Sequence, residues 1–154
     1  MALAHRPELL LLDEPSSGLD PVVRRDILEA IIRTVAEEGR TVFFSSHLLD
    51  EVERVSDHLA MMVEGRLVLS GPLEEIKANH HQLTLRFDTP QARPPDLNGA
   101  LSVVGAGQEW TVICNGARSE LLDAAGKLGA RVVAQRSPSL DEIFVARAGK
   151  KTPA

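Results

Sequence analysis

The most informative part of the sequence is Leu9-Leu10-Leu11-Leu12-Asp13-Glu14-Pro15, in which a run of leucines ends in two acids and a proline. A short continuous apolar run is typical of a strand buried on both faces of a parallel sheet, although it also suits a helix. Pro7 and Pro15 flank the run and leave almost no room for a helix, so we predict a strand. Its two acids then lie at the carboxyl edge of a sheet, where α/β proteins bind ligands.

A helix and a second strand follow directly along the chain. Asp20-Pro21 has the residue types of an N-cap and a first helical position, and apolar residues recur at helical spacing until Gly39. Thr41–Ser45 is β-branched and aromatic, as strands are. A helix of this length is the usual crossover between parallel strands, so we expect the two strands to pair in parallel. Ser45-Ser46-His47 then lies at the same sheet edge as the two acids.

Charge divides the chain into two halves. Residues 1–81 hold 15 acidic and 8 basic residues, whereas residues 82–154 hold 7 acidic and 9 basic residues. We therefore predict two domains, 1–81 and 82–154, joined around 79–83. Glu64-Gly65 predicts a hairpin turn. Further predicted elements are helices at 48–55, 73–78 and 119–128, a helix capped by Ser139, and strands at 58–63, 66–70, 83–87, 101–104, 110–114 and 131–135.

Composition excludes several classes of protein. The net charge of −5 argues against a general nucleic-acid binder, since phosphate-tracking proteins carry clustered positive charge. The longest aliphatic runs fall far below the roughly 18 residues of a membrane span, and no secretory signal is visible. A single cysteine, Cys114, allows neither an internal disulfide nor a multi-cysteine metal site. We expect a cytosolic setting.

The acids after the first strand suit phosphate chemistry. Of two adjacent carboxylates, one is able to hold Mg²⁺ and the other to orient or deprotonate an attacking water. Acids after a hydrophobic strand are common, so an ordinary loop stays an equal alternative on these residues alone. His47 is able to donate a hydrogen bond to a phosphate oxygen, although an isolated histidine at a strand end is more often an ordinary surface residue.

Taken together, the run from Leu11 to Pro21 and the following Ser45-Ser46-His47 resemble the Walker B, D-loop and H-loop series of ATP-binding-cassette (ABC) nucleotide-binding subunits. The resemblance covers at least residues 2–80. It implies an α/β fold: part of the parallel sheet and helices of a P-loop NTPase, followed by a small C-terminal α+β domain.

The resemblance also implies roles for particular residues, with ATP and Mg²⁺ as cofactors. Asp13 would help to hold Mg²⁺, Glu14 would be the general base, and His47 would contact the γ-phosphate. Ser17-Gly18-Leu19-Asp20 would cross to a second ATPase subunit in a dimer that clamps two ATP molecules. Asp20 would then serve both as helix cap and as interface residue.

The second half carries a further resemblance. Residues 62–73 are similar to the hairpin after the H-loop, and residues 82–147 look like the small C-terminal domain of ABC-2-type exporter ATPases of bacteria. A membrane-spanning permease would then be a partner, holding the chain at the inner face of the cell membrane. Nucleic acid is not an expected partner.

Several motifs of the ABC nucleotide-binding subunits are missing from this sequence. No stretch fits the phosphate-binding pattern G-x-x-x-x-G-K-[ST], and the glutamine loop and the Leu-Ser-Gly-Gly-Gln signature are absent. We expect the chain to be a C-terminal fragment of a longer subunit, inactive alone, with an exposed apolar edge on its first strand.

Two alternatives stay open: a non-catalytic interaction or regulatory module of an ABC system, and a DNA-associated ABC-type ATPase, against which stands the lack of a sustained heptad. Trp110 and Phe87 are expected in the core of the small domain. Solvated or packing roles are expected for the remaining histidines, which are His5, His58, His80 and His81.

Overall fold

The computed structural model describes residues 7–37 and 39–149, so His5 and the first residues of the resemblance lie outside them. Its packing divides into two compact units, with the division after Ser56. The elements in chain order are β1 (Leu9–Leu12), α1 (Pro21–Ala36), β2 (Thr41–Phe44), α2 (Leu49–Val55), β3 (His58–Val63), β4 (Arg66–Pro72), α3 (Leu73–Asn79), β5 (His80–Gln91), β6 (Ala100–Asn115), α4 (Arg118–Lys127), β7 (Ala130–Arg136) and α5 (Leu140–Ala148).

The first unit contains the predicted parallel pair. β1 and β2 run parallel, in a register that places Leu12 beside Phe44, and α1 is the crossover between them. α1 packs against β2 and α2 and buries Leu28 and Ile31. The α/β fold class is thereby confirmed.

Asp20 caps α1 as predicted. Its Oδ1 accepts hydrogen bonds from the backbone N–H groups of Val22, at 2.9 Å, and Val23, at 3.2 Å. Such a cap stabilises a helix by about 1 kcal/mol. α1 ends at Ala36, earlier than the prediction, and Gly39 takes the left-handed φ of +63° beyond it.

One face of the β1–β2 pair is apolar and exposed. Leu9, Leu11 and Phe43 are 51%, 67% and 62% exposed, while the intervening Leu10 is buried. Alternate residues of a strand point to opposite faces, so the three exposed side chains share one face. The prediction that the first strand is buried on both faces is therefore wrong for the described residues, because nothing among them covers Leu9 and Leu11. Among the same residues β1 pairs only with β2, so its other backbone edge is exposed, as predicted.

The second unit begins with a hairpin, which the sequence predicted. β3 and β4 pair antiparallel around Glu64 and Gly65, whose φ values are +49° and +75°. Two successive positive φ values define the type I′ turn, whose twist matches that of paired strands. α3 follows and packs on β4 and β5.

The remaining strands form one antiparallel sheet in the order β6-β5-β7. β6 covers both strands predicted at 101–104 and 110–114, and it folds back on itself. The N–H of Asn115 donates to the carbonyl of Gly99 at 2.9 Å, whereas a straight strand of this length would span about 50 Å. Gly107, with φ of +61°, lies in the turn.

The core of this sheet contains the two predicted aromatic residues. Phe87 is 5% exposed and Trp110 is 6% exposed, and both belong to a buried cluster with Val112 and Leu121. The predicted capping box of α5 is also present.

That capping box joins an ion pair at the start of α5. Glu142 accepts hydrogen bonds from Arg136 and from the backbone of Ser139. The hydrogen bond from Arg136 is the main cause that lowers the pKa of Glu142 to about 2.

The packing division does not coincide with the change in composition. Packing divides the chain after Ser56, which assigns the β3–β4 hairpin and α3 to the second unit. The division into domains at 81 and 82 concerns family modules rather than packing, and it stays a prediction. Within the described residues, none of the helices is both long and apolar enough to cross a membrane.

Candidate functional site

The candidate site lies where β1 and β2 end. Asp13 and Glu14 follow β1, and Ser45 to His47 follow β2. The N–H of Ser45 donates to the carbonyl of Leu12 at 3.0 Å, which extends the parallel ladder beyond both strands. The two acids and the histidine therefore come together, as the sequence predicts.

Ser45 connects the two acids. Its hydroxyl donates to Oδ1 of Asp13 at 2.6 Å and accepts from the backbone N–H of Glu14 at 2.9 Å. This residue was not among the predicted site residues, because Thr41–Ser45 was assigned to a strand. The parallel register was the available signal, since it places the residue after Phe44 opposite the residue after Leu12.

Glu14 has an unusual backbone and a specific side-chain partner. Its φ is +45°, a left-handed value that costs a non-glycine residue on the order of 1–3 kcal/mol. The Ser45 hydroxyl holds its N–H, and Oε2 lies 2.8 Å from Nδ1 of His47. Strained residues of this kind cluster at functional sites, which supports a specific role for this carboxylate.

The site is open to water. The side chains of His47 and Glu14 are 65% and 36% exposed, so their contact contributes at most about 1 kcal/mol to stability. The contact between Glu14 and His47 thus contributes little to folding, although the backbone of Glu14 is strained. Such a contact is better suited to orienting the carboxylate and the imidazole than to stabilising the unit.

The side chains at the site fit Mg²⁺ bound mainly by a substrate. Among the described residues no group of three or more His, Cys, Asp or Glu is placed to hold a metal ion. Mg²⁺ in nucleotide-hydrolysing proteins usually takes one or two carboxylates, and substrate phosphates and water supply its other ligands. Asp13, supported by the Ser45 hydroxyl, offers one carboxylate of this kind.

The residues from Ser17 to Asp20 form a turn beside the site. The N–H of Ser17 donates to the carbonyl of Glu14 at 3.1 Å, and that of Leu19 donates to Ser16 at 3.4 Å. Gly18 has φ of +72°, which glycine adopts without strain. Ser17 and Gly18 are exposed. The cap formed by Asp20 is observed, and the predicted contact of this turn with a second subunit stays a prediction.

A polar cluster that is largely buried lies next to the turn, and no pattern in the sequence indicates it. Ser16 and Glu51 are 1% and 3% exposed, and the Ser16 hydroxyl donates to Oε2 of Glu51 at 2.6 Å. Nε of Arg24 lies 3.2 Å from Oε1 of Glu51, and Nη2 donates to the carbonyl of Leu19 at 3.3 Å. A charged residue in a short helix predicts exposure, which is why Glu51 was missed.

Comparisons with known proteins give the chain similarities to one family description and to several ATP-binding proteins. Residues 1–53 match the family described as "AAA domain, putative AbiEii toxin, Type IV TA system". An ABC transporter ATP-binding protein of Synechocystis is 36% identical over 149 residues, covering 94% of this chain and 41% of that protein. The ABC transporter ATP-binding protein YtrB of Bacillus subtilis is 29% identical over 157 residues, covering 98% of this chain and 52% of YtrB.

The homologues of this chain are ABC transporter ATP-binding proteins. Another relative, the bacitracin transport ATP-binding protein BcrA of Bacillus licheniformis, is 40% identical over 81 residues, covering 53% of this chain and 26% of BcrA. The chain spans about half, or less, of the length of these ABC ATP-binding proteins. ATP is the nucleotide that the names of these relatives give.

Proposed function

We propose that this chain carries the Walker B strand, D-loop and H-loop of an ATP-hydrolysing subunit of an ABC exporter. The observation that carries the proposal is the contact of 2.8 Å between Glu14 and His47, next to the hydrogen bond of 2.6 Å between Ser45 and Asp13. A carboxylate suited to a metal, a second carboxylate suited to a base, and an imidazole lie together at one sheet edge, where α/β proteins bind ligands.

In this proposal Asp13 helps to hold Mg²⁺, and Glu14 orients the attacking water and accepts its proton. When bound, Mg²⁺ neutralises charge on the phosphate oxygens. The backbone of Glu14 is held through Ser45, and its carboxylate contacts His47, so the base has a defined position before a phosphate binds. Positioning of this kind supplies much of the rate in phosphoryl transfer.

His47 donates to the γ-phosphate in this proposal. A neutral imidazole donates through one nitrogen only. His47 therefore donates from Nε2 while Nδ1 stays on Glu14 only as the imidazolium, whereas a neutral ring donates to the phosphate after leaving Glu14. In the second case the arrival of a phosphate releases the base from its partner, which links nucleotide binding to the freedom of Glu14.

The proposed partners follow from the family. The exposed turn Ser17-Gly18-Leu19-Asp20 is proposed to contact a second ATPase subunit, and a membrane-spanning permease is proposed to hold the dimer at the cytoplasmic face of the membrane. Nucleic acid is not a proposed partner, in keeping with the net charge of −5. The exporter subclass is supported by residues 82–147 and by the similarity to BcrA, which is named for bacitracin transport.

We propose further that these 154 residues, as a C-terminal portion of such a subunit, do not hydrolyse ATP alone. No phosphate-binding loop is present in them to surround the phosphates with N–H groups and a lysine. The test is phosphate release from Mg-ATP by the purified chain. We expect release no greater than that of the Glu14→Gln variant.

A matched control for this test is Glu29→Gln, because Glu29 is an acid on the exposed side of α1. Phosphate release that Glu14→Gln abolishes and Glu29→Gln leaves intact would overturn the inactivity of the isolated chain. It would at the same time support Glu14 as the base, so the two parts of the proposal are separated by this result.

A further inference from the structure

We infer that Glu51 is a positioning residue that holds both ends of the turn from Ser16 to Leu19 and connects that turn to the segment carrying His47. The inference rests on the proposed function for its consequence, because that function assigns the overlapping segment from Ser17 to Asp20 to a subunit contact and His47 to the γ-phosphate. Its structural content stands on the contacts of Glu51 alone.

Glu51 is a buried acid. It is 3% exposed and is the one buried acid among residues 7–37 and 39–149. A buried carboxylate is costly unless it is paired and hydrogen-bonded, and a well-packed apolar residue of similar volume often stabilises a protein more. Its burial therefore indicates that the carboxylate is needed where it lies.

Glu51 connects to the turn at two points. Oε2 accepts from the Ser16 hydroxyl at 2.6 Å, at the beginning of the turn. Oε1 lies 3.2 Å from Nε of Arg24, and Nη2 of the same guanidinium donates to the carbonyl of Leu19 at 3.3 Å, at the end of the turn. One carboxylate thus holds both ends of the turn.

The two connections differ in kind. The one to Ser16 is a short, buried hydrogen bond. Nε of Arg24 and Oε1 of Glu51 are within ion-pair distance, but neither atom has an aligned hydrogen-bond partner. The connection to Leu19 therefore depends on charge and on the shape of the guanidinium, and it is the weaker of the two.

Backbone and side-chain hydrogen bonds also link Glu51 to the segment that carries His47. The N–H of Glu51 donates to the carbonyl of Leu48 at 3.0 Å, and the N–H of Leu48 donates to the Ser46 hydroxyl at 3.0 Å. The segment from Ser46 to Glu51 is therefore a continuous hydrogen-bonded piece that contains His47. Glu51 therefore joins the turn to the segment that carries His47.

The experiment is amide hydrogen exchange, resolved residue by residue, on the full 154-residue chain without nucleotide. The N–H groups of Ser17 and Leu19 report the two ends of the turn, since each is hydrogen-bonded within it. The N–H groups of Thr41 and Ser45, which bond to Glu8 and Leu12, report the parallel sheet. Local loosening of the turn and global destabilisation are thereby told apart.

Two variants test the two ends separately, and both leave Glu51 in place. Ser16→Ala is expected to raise exchange at Ser17 about tenfold, because it removes a hydrogen bond to a buried charge. Arg24→Lys keeps the positive charge near Glu51 but loses the planar donor to Leu19, so exchange at Leu19 should rise several-fold while Ser17 changes little.

Glu51→Gln completes the set, and Arg25→Lys is the matched control. Glu51→Gln should raise exchange at both ends of the turn, whereas Arg25, whose ion pair with Glu29 is 67% exposed on both sides, should change neither. The inference is overturned if Ser16→Ala and Arg24→Lys change all four reporting amides equally, or none of them. Because no nucleotide is used, failure of the proposed ATPase function leaves this test unaffected.

Discussion

Ser45→Ala tests whether the hydroxyl of Ser45 organises the candidate site. The substitution removes the donor to Oδ1 of Asp13, at 2.6 Å, and the acceptor of the Glu14 N–H, at 2.9 Å. A hydrogen bond to a charged group contributes about 1.5–3 kcal/mol when it is protected from water. Asp13 and Ser45 are exposed, so water replaces part of the loss.

We therefore expect a local cost of about 1 kcal/mol, because surface interactions between charged groups are worth no more than that. A cost of this size corresponds to about fivefold faster hydrogen exchange at the Glu14 amide, if that amide exchanges by local opening. The strained φ of Glu14 adds to the effect, since the N–H loses the contact that holds it at +45°. The assay is amide exchange measured by NMR on the 154-residue chain.

Ser45→Thr is the matched control for this prediction, because threonine keeps the hydroxyl and, as a β-branched residue, suits a position at the end of a strand. It should leave the exchange of the Glu14 amide close to that of the unchanged chain. Equal exchange at Glu14 in all three proteins would show that the Ser45 hydroxyl does not hold this backbone. Faster exchange in Ser45→Thr as well as in Ser45→Ala would indicate that packing, not hydrogen bonding, is responsible.

The remaining predictions concern the second unit. His80 is buried, with Nδ1 2.6 Å from the carbonyl of Ile76 and with Nε2 facing Arg147 and Asn115. Burial is the main cause that lowers the pKa of His80 below 6.5, and the charges of Arg147 and His81 also lower it. Stability that depends on neutral His80 is thus fully present above pH 6.5 and is lost as the pH falls through the folded-state pKa. The thermal unfolding temperature should therefore fall as the pH is lowered below 6.5, and His80→Gln should reduce that fall. Burial also raises the pKa of the Cys114 thiol to about 11, so iodoacetamide should alkylate it only in denaturant, and rapid labelling of the folded chain would contradict this.

The sequence predicted the parallel pair because its signals agree with one another. A continuous apolar run, a capped helix and a β-branched run leave few arrangements, and the structure has the expected one. Asp13, Glu14 and His47 follow the two strands, so their meeting was also predictable. The cap formed by Asp20 and the turn at Glu64 were equally clear, since each depends on local chemistry.

What was missed depends on tertiary contacts. β5 begins at His80, well before the predicted start at Leu83, because the polar residues at its beginning pair with Cys114 and Asn115 of β6. A polar stretch of sequence does not by itself predict a strand, because its strand conformation here depends on pairing with β6. His80 was expected to have a solvated or packing role, and the structure gives it the packing role.

The polar cluster of the first unit was missed for a related reason. Ser16 and Glu51 are far apart in the sequence, and a charged residue in a helix is usually exposed. Only the packing of α2 beside the turn after β1 brings them to 2.6 Å. Ser45 differs from these residues, since the predicted parallel pairing already placed it beside the two acids, and only the contacts of its hydroxyl needed the structure.

Glu14 is proposed to be the general base of an ABC-type ATPase site. The most direct measurement is the Mg-ATP hydrolysis rate of a chimera in which this chain replaces the segment of Bacillus subtilis YtrB that it matches, 52% of that protein. We expect the chimera to hydrolyse ATP and Glu14→Gln to lower its rate at least about hundredfold, as loss of general-base catalysis does. Glu29→Gln should leave the rate unchanged. A chimera that hydrolyses ATP equally well with Glu14→Gln would contradict the claim.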